Sequence, residues 1–280
     1  MAKEIKGIDL QHLDVKKSIN KNNNVNLIFC HGLASEPRMH HDIVADLKNV
    51  NYYGLGFPGH IDVEAKFSTK ELNIVYFARL LVGFLRKNNK LNNIILAGHS
   101  MGCAVIMLAL KILSPSEKKK IKKIILAAPL TITTAFTALG FSKYLFTDAN
   151  KIKRKEINKF LKDLFYNHQY YVDHFEDFFD LEFYKKHQKE QKKIVLSILK
   201  PTTIKKVIDA YHKFDQYEKV TFITGDKDRL VPFTIIHAYI KNFFKKAKHI
   251  EFLKAGHLLL LEHKDKYLEL INQAINDVKS

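Results

Sequence analysis

Ile94-Ile95-Leu96-Ala97-Gly98-His99-Ser100-Met101-Gly102 is the stretch that decides the fold. Its four leading apolar residues read as a buried strand, and Ala104, Met107, Leu108 and Ile112 then fall at helical spacing. Ser100 therefore occupies a strand-to-helix turn. A turn this tight strains the serine backbone and needs small residues two before and two after it, which Gly98 and Gly102 supply. It also lifts the hydroxyl above the sheet at a helix N-terminus, where free N–H groups favour developing negative charge. That is a position for a nucleophile.

On either side, short apolar runs alternate with helical patterns. Residues 26–30, 51–55, 93–97, 123–128, 220–224 and 249–253 read as strands, and 8–15 as an earlier antiparallel pair, giving about eight strands at most. Ile74, Phe77, Ala78, Leu81 and Leu85 form one helical stripe, and Tyr267, Leu268, Ile271, Ala274 and Ile275 another. The expected fold class is α/β, a mostly parallel sheet flanked by helices. The alternation stops after Pro129 and returns at Val220. Residues 131–215 are too long for a plain loop and read as a helical cap inserted in a core made of 1–130 and 216–280. Within it Ile157, Phe160, Leu161, Leu164 and Phe165 keep helical spacing, as do Ile194, Val195, Ile198 and Leu199.

The 280 residues are 46% apolar and 27% charged, with 11 Gly and 6 Pro, a balance that excludes disordered and fibrous chains. No signal peptide or membrane span is visible, and two cysteines, Cys30 and Cys103, are too few for a disulfide framework. Both features point to the cytoplasm. The net charge of +17 is spread over the chain without an Arg-rich stripe or a nucleic-acid motif, so no nucleic-acid partner is expected. Weak contact with an anionic membrane surface is compatible with it. No His or Cys pairs fall at metal-ligand spacing, and no phosphate-binding glycine loop occurs, so no metal or cofactor is expected.

A serine hydroxyl needs a base to take its proton and a third group to orient that base. After the strand at 220–224 comes Gly225-Asp226-Lys227-Asp228, and spacing alone leaves Asp226 and Asp228 both open as the acid. The last strand runs into Lys254-Ala255-Gly256-His257, where His257 is placed to reach over the sheet edge as general base; His263, six residues on, reads as a surface residue. A tetrahedral oxyanion needs two donors. The N–H of Met101 is one, and the turn at Phe29-Cys30-His31-Gly32-Leu33 offers the N–H of Leu33 as the other.

Taken in order, His31-Gly32-Leu33, Gly98-His99-Ser100-Met101-Gly102, Gly225-x-x-Asp228 and Gly256-His257 resemble the α/β-hydrolase superfamily over nearly the whole chain outside the cap. Within it the chain is similar to capped serine esterases and monoacylglycerol-type lipases, whose acid commonly falls third after the glycine. The resemblance therefore implies Asp228 as the acid. Two departures stand out: Gly56 in Gly56-Phe57-Pro58-Gly59-His60 replaces the acid usual in that loop, and Cys103 replaces a frequent glycine after the turn. Neither position performs chemistry in the family. The implied activity is hydrolysis of a small-molecule carboxylic ester or lipid, with a short to medium acyl chain, a monoglyceride or a lysolipid. Phe136, Phe141, Phe160, Phe165, Phe175, Phe178 and Phe179 are candidates for lining an acyl pocket or for packing the cap. Carbon–carbon hydrolysis, acyl transfer and a non-catalytic small-molecule receptor remain open on the same fold.

Overall fold

The computed structural model describes residues 10–60, 68–131, 162–173 and 181–279, together with Lys155 and Lys159. Seven strands among these residues form one sheet: β1 (Asp14–Ser18), β2 (Asn26–Cys30), β3 (Asn51–Gly56), β4 (Ile94–His99), β5 (Ile121–Ala127), β6 (Val220–Gly225) and β7 (Lys248–Phe252). Their order is β1-β3-β2-β4-β5-β6-β7, with β1 antiparallel to β3 and every other pair parallel. Every residue of β2, β3 and β4 is buried, which is why these strands read as continuous apolar runs.

The expected antiparallel pair over 8–15 is a single strand placed later. A 3₁₀ turn at Leu10–His12 precedes β1, and residues 1–9 lie outside the described residues. β1 is an edge strand with only Val15 partly covered, and its two lysines keep the open edge polar. The sheet accordingly has seven strands, not eight, among the described residues.

The α-helices given bounds among the described residues are α1 (Pro37–Val44), α2 (Ile74–Lys87), α3 (Met101–Ile112), α4 (Pro115–Lys119), α5 (His168–Asp173), α6 (Leu181–Ile198), α7 (Pro201–His212), α8 (Phe233–Phe243), α9 (Leu259–Glu262) and α10 (Lys264–Lys279). They cover both faces. Leu27 and Phe29 of β2 point into a core shared with Ile43 of α1 and Ile271 of α10, while Ile28 and Cys30 point into the core of α2, α3 and α7. Each such side chain contributes roughly 1.5–3 kcal/mol by leaving water. The α2 stripe is buried as its spacing predicts, and α2 starts where the Asn73 side chain accepts the Tyr76 N–H at 2.8 Å.

Between β5 and β6 lie α5, α6 and α7. Ile194, Val195 and Ile198 of α6 are buried, and Phe165 stacks on Tyr171 with ring centroids 3.7 Å apart. Ile157, Phe160 and Leu161 of the predicted stripe, and Phe136, Phe141, Phe175, Phe178 and Phe179, lie outside the described residues. Among the described residues no helix is long and apolar enough to cross a membrane.

Candidate active site

β4 ends at His99 and α3 begins at Met101, leaving Ser100 alone in the turn at φ 50° and ψ −112°. A left-handed non-glycine residue stores on the order of 1–3 kcal/mol and persists only where its surroundings hold it. The Ser100 N–H donates to Ala127 O at 2.9 Å, and its carbonyl accepts the N–H groups of Cys103 (3.1 Å) and Leu130 (3.2 Å). The sharpness of the turn drives backbones together. A Cβ on Gly102 would lie 1.9 Å from Cys30 O, and one on Gly98 would lie 2.9 Å from Cys103 N. Both glycines are therefore steric necessities.

The loops after β6 and β7 bring Asp228 and His257 to the same edge of the sheet. His257 Nδ1–H donates to Asp228 Oδ2 at 2.8 Å, and His257 Nε2 accepts from Ser100 Oγ at 2.9 Å. All three residues are buried. Asp228 is fixed in turn, because its Oδ1 accepts the N–H groups of Leu230 and Val231, each at 2.8 Å. This web sets the imidazole tautomer: with Nδ1 protonated toward the carboxylate, the Nε2 lone pair faces the hydroxyl.

Asp226, the other acid in the turn, faces elsewhere. Its Oδ1 accepts the Ala255 N–H at 3.2 Å and its Oδ2 lies 3.4 Å from Lys227 Nζ, so it braces the β7 loop. His263 Nε2 bonds the Lys254 carbonyl at 3.3 Å. A Cβ on Gly32 would stand 3.4 Å from Ser100 Cβ, so the turn carrying Leu33 lies directly against the serine, while Met101 opens α3 beside it.

Three supporting residues escaped the sequence reading. His31 bridges the turn to the following loop: its Nδ1–H donates to Gly32 O at 2.8 Å and its Nε2 accepts the Phe57 N–H at 3.1 Å. Burial lowers its pKa to about 4, against the opposing pull of the Gly32 bond. His99 Nε2–H donates to the His257 carbonyl at 2.8 Å, and burial, then the nearby His257, lower its pKa to about 3. Both rings are thus neutral braces. Glu262 accepts the N–H groups of Gly256 (2.6 Å), Tyr166 (2.7 Å) and Asn167 (3.1 Å), and burial raises its pKa while those bonds oppose the rise. With Leu258 N–H donating to Leu164 O at 3.1 Å, it pins residues 164–167 to the His257 loop. The His-Gly pair at 31–32 carries a usable signal for His31; Glu262 has none, because two of its three partners, Tyr166 and Asn167, come from a distant segment.

Both cysteines are free and buried. The Cys103 thiol donates to Gly98 O at 3.2 Å, and burial pushes its pKa well up, so it packs as a neutral group. Among the described residues no group of three or more His, Cys, Asp or Glu is arranged to hold a metal ion.

Residues 25–264 match the model of a family described as alpha/beta hydrolase fold. The chain is similar to a Mycoplasma genitalium protein named "Putative esterase/lipase 2", 31% identical over 212 residues, covering 73% of this chain and 68% of that protein. It is 36% identical over 105 residues to a Mycoplasma pneumoniae protein named "Putative esterase/lipase 3", a match spanning 38% of this chain and only 36% of that relative's length. Among solved structures, an esterase from Exiguobacterium antarcticum superposes with a TM-score of 0.68 at 17% identity, covering 96% of each chain.

Proposed function

The chain belongs to the alpha/beta hydrolase fold family, and from that membership we propose that it is a serine-dependent hydrolase of carboxylic esters working through an acyl-enzyme on Ser100. The observation that carries the reading is the continuous relay from Asp228 Oδ2 through His257 to Ser100 Oγ, with links of 2.8 and 2.9 Å.

Ser100 Oγ attacks the ester carbonyl carbon as its proton passes to His257 Nε2. The carbonyl oxygen becomes an oxyanion held by the N–H groups of Leu33 and Met101, each worth about 3 kcal/mol of barrier. Asp228 steadies the imidazolium without itself taking the proton. As the tetrahedral centre collapses, the carbon–oxygen bond to the alcohol breaks and His257 returns its proton to the departing oxygen. Water then gives a proton to His257 and attacks the acyl carbon; collapse releases the acid and restores the Ser100 hydroxyl.

Residues 131–215 act as a helical cap over this edge, and the substrate lies between cap and core. The pinning of residues 164–167 to the His257 loop supports that arrangement. The preferred substrate is an ester with a short to medium acyl chain, a monoglyceride or a lysolipid. A panel of nitrophenyl esters from acetyl to palmitoyl, run beside a vinylogous diketone, tests this. The expected result is turnover peaking below the long chains with the diketone untouched; diketone cleavage without ester turnover overturns the proposal.

A further inference from the structure

A groove of about 650 Å³ runs between the first turns of α2 and the helices α6 and α7. Lys70, Arg79, Lys193, Lys200 and Lys206 line it, and among the described residues no carboxylate does. Five like charges facing one concavity repel one another unless an anion enters it. Both α2 and α7 begin here, so the positive ends of two helix dipoles face the groove, offset in part by the C-terminal end of α6 that carries Leu196 and Ser197. The same groove presents the half-buried Val75 and Leu196, the latter 45% exposed. A free inorganic anion gains nothing from such neighbours, whereas an amphiphile buries apolar surface against them.

Its location places it on the sheet edge that carries Ser100. Crossover helices start at the C-terminal edge of the parallel strands, and α2 packs alongside α3, so the first turn of α2 opens on the edge that carries Ser100. We propose that this groove holds the headgroup of an anionic phospholipid and seats the protein on an anionic bilayer with its Ser100 edge toward the lipid. The docking goes beyond the ester reading and does not depend on it: Ser100→Ala is expected to bind bilayers as the wild type does.

The test is co-sedimentation with vesicles of phosphatidylcholine containing phosphatidylglycerol, against vesicles of phosphatidylcholine alone. Each cation near an anionic surface is worth about fivefold in binding. A variant carrying Arg79→Gln, Lys193→Gln and Lys200→Gln is expected to bind about a hundredfold more weakly, with a shallower salt dependence. A control carrying Lys16→Gln, Lys48→Gln and Lys90→Gln loses the same charge from other exposed positions and is expected to stay within a few-fold of wild type. All six sites are exposed, and circular dichroism checks that both variants fold; if the groove triple does not, Lys193→Gln is compared with Lys48→Gln alone, with about fivefold weakening expected in the first and no change in the second. Equal weakening in both triples overturns the groove in favour of diffuse charge. Equal binding to phosphatidylcholine alone overturns the anionic headgroup. No sedimentation with the phosphatidylglycerol vesicles, together with binding of millimolar glycerophosphate to the protein in solution, overturns the bilayer in favour of a soluble anion.

Discussion

Replacing Asp228 by Asn separates the geometry of the site from its chemistry. An asparagine of the same shape offers one oxygen and one NH2, so it must choose between two sets of partners. If its oxygen keeps the Leu230 and Val231 N–H groups, the NH2 faces His257 Nδ1. The ring must then carry its proton on Nε2, and the lone pair facing Ser100 Oγ at 2.9 Å is gone. If the oxygen faces His257, two buried N–H donors lose their acceptor, at roughly 1–3 kcal/mol each. The first arrangement wins. The expected loss in kcat is therefore that of a wrong-tautomer histidine, about 10⁴-fold, or roughly 5.5 kcal/mol. Asp226→Asn keeps an oxygen for the Ala255 N–H and is expected to cost less than about tenfold in kcat, since what it loses is only the solvent-exposed contact with Lys227 Nζ. The assay is steady-state hydrolysis of a nitrophenyl ester, with melting temperature as the control for folding. An Asp228→Asn enzyme within tenfold of wild type, or one outperformed in loss by Asp226→Asn, refutes the reasoning.

Two further outcomes follow from the packing and the buried histidines. Gly102→Ala, which in an ordinary helix would stabilise by up to about 1 kcal/mol, is expected to destabilise by about 3 kcal/mol or more, because its Cβ would sit 1.9 Å from Cys30 O and only backbone can yield; urea unfolding with an unchanged midpoint contradicts this. His31 and His99 bind protons more weakly folded, at about 4 and about 3, than unfolded, near 6.5. Their contribution is fully present above pH 6.5 and is lost as pH falls through about 4 for His31 and about 3 for His99, by up to about 1.4 kcal/mol per pH unit each. His99→Gln is expected to make that acid-side loss shallower in unfolding titrations, and an unchanged slope contradicts it.

The parallel strands are legible because a strand covered on both faces keeps polar residues to its ends, as Asn26 and His99 stand at the ends of Asn26–Cys30 and Ile94–His99. β1 was misplaced for the opposite reason: an exposed edge strand reading Asp-Val-Lys-Lys-Ser looks like a loop. The turn around Ser100 announced itself because its steric demand falls on residues two away in sequence, Gly98 and Gly102. Asp226 and Asp228 were indistinguishable by spacing, since what separates them is which backbone N–H groups capture each carboxylate as the chain turns. His99 and Glu262 were invisible for a related reason. The His99 partner is 158 residues away at the His257 carbonyl, and besides the nearby Gly256 the Glu262 partners are 95 and 96 residues away at Asn167 and Tyr166, distances over which no periodicity carries information.

The central claim is that Ser100 is an activated nucleophile, and covalent capture by a fluorophosphonate tests it most directly, because only a serine whose proton has somewhere to go displaces fluoride at a useful rate. Peptide mapping of the folded wild type is expected to find the phosphonyl group on Ser100 alone, with Ser100→Ala and heat-denatured protein unlabelled. Labelling that persists in Ser100→Ala, or a folded wild type that takes no label, contradicts the account.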